Sequence, residues 1–180
     1  MEAFIAILRG INVSGHKKIL MADLKALFEE LQFLEVQTYI QSGNVVFKSP
    51  QKISDLKLAA TIEKALLKRY GFEVPVIART REALQKVILS NPFATEKGMD
   101  LKKLHVTFLS EVPAKEKVEA VNKSEPAADR FLIGSREIYL HTPGGYGNTK
   151  LSNTFFEKKL QVTATTRNWN TVITLAEMAS

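Results

Sequence analysis

Two stretches of this 180-residue chain gather the residue types that bind anions. The first runs Arg9-Gly10-Ile11-Asn12-Val13-Ser14-Gly15-His16-Lys17-Lys18 and is joined later by Gln41-Ser42-Gly43-Asn44. Arg9, Lys17 and Lys18 supply positive charge, Asn12, Ser42 and Asn44 supply amides and a hydroxyl, and Gly10 lets backbone N–H groups come close to a ligand. A phosphate or carboxylate suits that mixture. The second stretch is His141-Thr142-Pro143-Gly144-Gly145-Tyr146-Gly147-Asn148-Thr149-Lys150, leading to Ser152-Asn153, with Thr165-Thr166-Arg167-Asn168-Trp169-Asn170 beyond it. Lys150 and Arg167 carry charge, two helix starts here offer unpaired N–H groups to an anion, and Tyr146 or Trp169 has a ring able to stack on a base. The ligand-binding set expected from both stretches is Arg9, Gly10, Asn12, Lys17, Ser42, Asn44, Tyr146, Lys150, Asn153, Arg167, Trp169 and Asn170. The plainer alternatives are a glycine-containing loop with solvated lysines, a core role for Trp169, and a capping role for Asn168.

Other chemistries lack their residues. Gly10 and Gly15 have the separation of a phosphate-binding P-loop, but His16 stands where Lys is required and no Ser or Thr follows to hold magnesium. The three His are scattered without metal-ligand spacing, so no metal is expected, and His105 inside a strand reads as a packed or edge residue. No cofactor is implied. No GxSxG elbow exists, and Ser42, Ser152, Thr165 and Thr166 have no base fixed beside them, so the catalytic residues stay unknown. Cysteine is absent, which removes thiolate chemistry and agrees with a reducing compartment.

The elements that must position these loops follow from periodicity. Residues 4–8 form an apolar run, Met21, Leu24, Leu27, Phe28 and Leu31 recur at helical spacing, and residues 36–40 and 45–47 make a hairpin about Gly43-Asn44. Ser54 caps a helix that stops at Gly71, and residues 74–78 close the unit as a strand. That βαββαβ order is ferredoxin-like. After a helix at 81–89 the order returns: strand 104–109, helix from 115, hairpin 130–133 with 137–140, helix from 152, closing strand 162–165 and a last helix from Asn168. The expectation is an α+β protein of two tandem ferredoxin-like halves, 1–80 and 101–180, joined by a helix and loop over 81–100, with antiparallel sheets and helices on one face. The second half carries an extra C-terminal helix. The duplication is visible in element order and not in residue identity. Topology sets 9–18 beside 41–44 on one sheet edge. The third strand lacks the surface aromatics of an RNA-recognition motif, so recognition from the sheet face is disfavoured and from the loop edge is not.

The runs LRGINVSGHKKILMADLKALFEEL, TYIQSGNVVF, YGNTKLSNTFFEKKL and ATTRNWNTVITL together resemble the bacterial domain-of-unknown-function family 1697 over essentially the whole chain. The family's motif positions fall on Arg9, Gly10, Asn12, Ser42, Gly43, Asn44, Lys150, Asn153, Arg167, Trp169 and Asn170. The resemblance implies the duplicated α+β fold and little about activity, the family being named for the lack of one. Ser14 departs from the glycine-rich pattern expected there and is expected to keep a negative φ.

The leading functional expectation is a binding protein that holds a phosphate-bearing ligand, a nucleotide or a short single-stranded nucleic acid, through its Gly, Asn and Arg loops. The net charge of +6 agrees with this but is weaker than that of dedicated nucleic-acid binders. An enzyme acting on a phosphorylated or amide-containing metabolite, and a protein-protein interaction module, are the alternatives. No apolar run nears the ~20 residues of a spanning helix and the N-terminus is too short and wrongly charged for a signal peptide, so a soluble, cytoplasmic protein with no membrane partner is expected. The oligomeric state is left open by the sequence.

Overall fold

The computed structural model describes residues 1–180. Its first sheet contains β1 (Glu2–Leu8), β2 (Leu34–Tyr39), β3 (Asn44–Ser49) and β4 (Val76–Thr80), with helices α1 (Met21–Glu30) and α2 (Asp55–Tyr70) between them. Helix α3 (Arg81–Leu89) leads on to a second sheet of β5 (Leu104–Leu109), β6 (Arg130–Ile133), β7 (Glu137–His141) and β8 (Ala164–Asn168), interleaved with α4 (Lys115–Asn122) and α5 (Asn153–Leu160). Helix α6 (Trp169–Met178) ends the chain. The strand orders are β2-β3-β1-β4 and β6-β7-β5-β8, with the sequentially first and third strands of each unit adjacent and antiparallel. These are two tandem βαββαβ units. By compactness the chain divides into Met1–Gln85 with Thr174–Ser180, and Lys86–Ile173.

Local chemistry accounts for the boundaries. Ser54 accepts a hydrogen bond from Lys57 N at the start of α2, and Gly71 ends that helix at φ 76°, a left-handed cap that costs a residue without Cβ little. Ser152 caps α5 by accepting from Phe155 N. The closing strand β8 starts two residues later than the apolar pattern 162–165 suggests. Gln161 ends α5 at φ 55° and Thr163 N bonds to Ser110 Oγ, so the chain is still turning there, and the polar run 164–168 does the pairing with β5. β4 is displaced in the same sense, to Val76–Thr80, because Arg79 and Thr80 pair with Ile5 and Phe4.

The first unit packs the helix side of its sheet, Phe4, Ala6, Leu8, Val45, Phe47, Val76 and Ala78, against Leu24, Leu27 and Phe28 of α1 and Leu58, Ile62 and Leu66 of α2. The opposite face, with Ile5, Ile7, Val46 and Ile77, is also buried. The second unit packs Leu109, Ile138, Leu140 and Ala164 against Val121, Phe156 and Leu160.

Register shows a residue-level echo between the units that element order alone does not. Ile5 pairs with Arg79 in the first unit as Val106 pairs with Arg167 in the second. Both arginines are buried, and each donates from Nη1 to the carbonyl of the preceding residue, Ala78 or Thr166. Each strand then runs straight into a helix whose first turn is capped by the next residue, Thr80 accepting from Ala83 N at 3.1 Å and Asn168 from Thr171 N at 2.8 Å.

Gly43 in the β2–β3 turn has φ 89°, and a Cβ there would stand 2.7 Å from Ile11 Cδ1 and 2.9 Å from Leu8 Cβ. Gly10 has φ 74° but open space around it. In denaturant unfolding, Gly43→Ala is expected to lose roughly 2–4 kcal/mol from left-handed strain plus overpacking, and Gly10→Ala about 1–2 from strain alone.

Candidate functional site

The edge formed by 9–20 and the β2–β3 turn is assembled as topology requires. Leu8 N donates to Gly43 O and Arg9 N to Pro75 O, each at 2.9 Å. Asn12 clamps the loop: its Nδ2 donates to Ile19 O at 3.0 Å and Gln41 O at 2.8 Å, and its Oδ1 accepts from Ile19 N at 2.8 Å. Lys17 Nζ donates to Glu73 O. Asn44, fully buried, donates to Tyr39 O at 2.9 Å and Ser42 Oγ at 3.1 Å. Asn12, Lys17, Ser42 and Asn44 therefore direct polar groups at the edge itself, while Gly10 lies open and Arg9 is half-buried. Ser14 does not keep a negative φ. It takes φ 50° beside Gly15 at 77°, with His16 N bonded to Val13 O, and these two left-handed residues make the tight turn of a small hairpin.

The second unit differs from the first in its core. Matching the two registers puts His105 where the first unit has Phe4, Thr107 where it has Ala6, Thr166 where it has Ala78 and Asn168 where it has Thr80. The helix side of β5 and β8 is thus polar at the end where β7 runs into the glycine-rich loop. Thr166 Oγ1 donates to Asn153 Oδ1 at 2.6 Å, and Thr107 and Thr166 hydroxyls lie 2.7 Å apart. Thr166 has one proton and gives it to Asn153, so Thr107 must be the donor in the second bond. Asn153, the first residue of α5, is held by its oxygen and keeps both Nδ2 hydrogens uncommitted.

His105 completes this column. Its ring stacks on Tyr146 with centroids 4.8 Å apart and planes at 25°. Nδ1 is sealed from solvent without a hydrogen-bond partner. Burial therefore depresses the imidazole pKa below its usual 6.5, since protonation would place an unpaired N–H⁺ there. The loop carrying Tyr146 is tied down by Thr142 N to Lys103 O, Asn148 Nδ2 to Gly144 O and Thr149 Oγ1 to Asp129 Oδ2. Lys150 follows, exposed and without an ion pair.

Of the expected residues in this half, Tyr146, Lys150 and Asn153 belong to the segment around the polar column. Arg167 does not share its face. Strand alternation puts it opposite Thr166, 8% exposed, with Nη1 donating to Thr165 Oγ1 and Thr166 O at 3.0 Å. Trp169 is 4% exposed and Asn170 lies at the surface. Sequence reasoning read His105 as a packed or edge residue of its strand and did not single out Thr107. The signal was present, polar residues at alternate positions of an otherwise apolar strand, but it is readable only once the register shows which face they share.

The chain belongs to the DUF1697 family of proteins of unknown function, whose model matches residues 1–139. The runs beginning at Tyr146 and Ala164 lie beyond that match. The structure is similar to that of a conserved bacterial protein from Streptococcus pneumoniae, with 23% identity, 99% of each chain covered and a TM-score of 0.79, a likeness of fold. No curated protein matches the chain.

Two outcomes follow. Ser14→Asn, which tolerates the left-handed region better, is expected to raise the melting temperature by about 1–3 °C. For His105, whose folded pKa is lowered, the unfolded chain takes up the proton first as pH falls. The stability it contributes is complete above about 6.5 and is lost below that value through the folded pKa. NMR titration should give a His105 midpoint below 6.5, and His105→Gln should lose less stability between pH 7.5 and 5 than the parent; equal losses would contradict the assignment.

Proposed function

We propose that the protein binds a phosphate-bearing ligand, a nucleotide or a short single-stranded nucleic acid, at the edge of the second unit where His105, Tyr146, Lys150 and Asn153 lie. The observation that carries this reading is the polar replacement of a core that the first unit builds from Phe4 and Ala6. A polar column, buried at Thr107 and half-buried at His105, Thr166 and Asn153, is weaker packing than an apolar one, and such departures from local consistency concentrate at functional sites. The column leaves chemistry suited to this ligand: an amide with free donors at Asn153, an uncommitted cation at Lys150, and a stacked pair of rings at Tyr146 and His105. The edge around Asn12 and Asn44 fits a structural role better, its amides being spent on its own backbone.

An enzyme acting on a phosphorylated or amide-containing metabolite is the second reading, favoured by one feature: His105 puts an imidazole, a group able to relay protons, beside the Tyr146 ring. Turnover in a metabolite screen that His105→Gln abolishes while leaving ligand affinity intact would select it.

The test is titration with mononucleotides and short single-stranded DNA and RNA at low and physiological salt, read from Trp169, which is followed in sequence by Asn170 and preceded by the Asn168 that pairs with His105. Saturable binding is expected. Tyr146→Ala should weaken it about tenfold or more, the worth of one stacked base, and Lys150→Ala should reduce the salt dependence by about one counterion. Binding unchanged in both variants, or absent at low salt, would remove this reading.

A further inference from the structure

The second sheet ends on β6, which pairs with β7 alone. Along an antiparallel strand, successive residues turn their N–H and C=O alternately to the neighbour and away from it. Gly134 N donates to Glu137 O at 2.8 Å, and this sets the phase. Leu132 and Arg130, opposite Tyr139 and His141, face β7, so the backbone groups of Phe131 and Ile133 face outward. Nothing in the chain pairs with them. The edge carries apolar side chains: Leu132 is 47% exposed, and an open groove of about 580 Å³ runs along it, with Phe93, Pro126, Phe131, Leu132 and Ile133 in its lining beside the polar Asn122, Ser124, Asp129 and Arg130. The one charge on the strand is occupied, since the Arg130 guanidinium holds Glu96 through two bonds of 2.9 and 2.7 Å and lies 4.7 Å over the Phe93 ring.

The matching edge of the first sheet is protected. β2 breaks register between Leu34 and Gln37, Glu35 takes φ 50°, and its carboxylate pairs with Lys48 at 2.7 Å. A bulge and a charge pair are the usual devices against strand addition, and β6 has no bulge.

We propose that β6 pairs with β6 of a second copy about a two-fold axis at Leu132, joining the two second-unit sheets into one. The edge is self-complementary in this register. Phe131 of each copy lies opposite Ile133 of the other, so their outward N–H and C=O groups exchange hydrogen bonds in both directions. Leu132 meets its own counterpart as a non-hydrogen-bonded pair, the closest side-chain approach in such a ladder, and two exposed leucines are covered. The same operation carries the Asp129 carboxylate of each copy toward the hairpin bearing Arg136 of the other, a complementary pairing of charge repeated by the symmetry. The strand pairing itself uses none of the ligand-site residues; the two surfaces meet only at Asp129, whose Oδ2 also accepts from Thr149 Oγ1 in the loop carrying Tyr146.

The experiment is molar mass in solution over a wide concentration range, by sedimentation or light scattering. Twice the chain mass is expected for the parent, and a single chain for Leu132→Lys and for Leu132→Glu, because each sets like charges against one another at the axis. Mixing the two variants should restore the double mass, which only a contact of residue 132 with itself explains. Circular dichroism checks that both variants fold. Amide exchange of the unsubstituted protein provides a second reading: Phe131 and Ile133 should be protected, and less so on dilution. A parent that stays monomeric, a double mass that survives Leu132→Lys, or edge amides that exchange freely at every concentration would each overturn the proposal, including the case in which a monomer captures an extended peptide instead.

Discussion

Alternation along the paired central strands is the constraint on which the rest of this protein depends. Once β1 is registered on β3 and β5 on β7, every side chain on those strands is assigned to the helix side or the opposite side, and a shift of one residue would exchange them all. That assignment makes Phe4, Ala6 and Leu8 a core in the first unit. It puts Arg79 and Arg167 on the side away from their helices. It also decides that His105 and Thr107 share a face with Thr166, and separates them from Arg167 one position away.

Because the chain contains the same topology twice, each unit serves as the reference for the other. Differences at matched positions show where the two copies build their sheets from different chemistry. Phe4 stacks on Phe47 with centroids 6.0 Å apart, whereas its counterpart His105 turns to a loop residue, Tyr146, that has no equivalent in the first unit's short connection from β3 to α2. The longer loop and the polar strand positions occur together. Both units nonetheless end alike, a buried arginine followed by a capping side chain, so the closing strands diverge on the helix side and not at their ends.

Much of this was legible beforehand. The apolar run at 4–8, the strand pattern at 104–109, the glycine turns and the Ser54 and Asn168 caps act through neighbours in sequence, and local signals of that kind survive folding unchanged. What could not be read depends on partners far along the chain. Residues 164–168 are too polar to look like a strand, and become one because β5 supplies the pairing. Asn12 reads equally as a ligand group or a loop clamp until Gln41 and Ile19 are seen beside it. Ser14 takes a left-handed conformation because the pairing of Val13 with His16 demands a two-residue turn, which outweighs its own preference.

The hydroxyl chain in the second unit has a direction. Thr107 and Thr166 each own one proton, and both protons point toward α5 because Asn153 offers its oxygen and not its nitrogen at the end of the line. The orientation of bonds inside the sheet is therefore settled at the first residue of a helix, by which way one amide is turned. Turning that amide over would reverse the flow of donors through the core without moving a backbone atom, so the interior of this unit and the surface beside its glycine loop share a single setting.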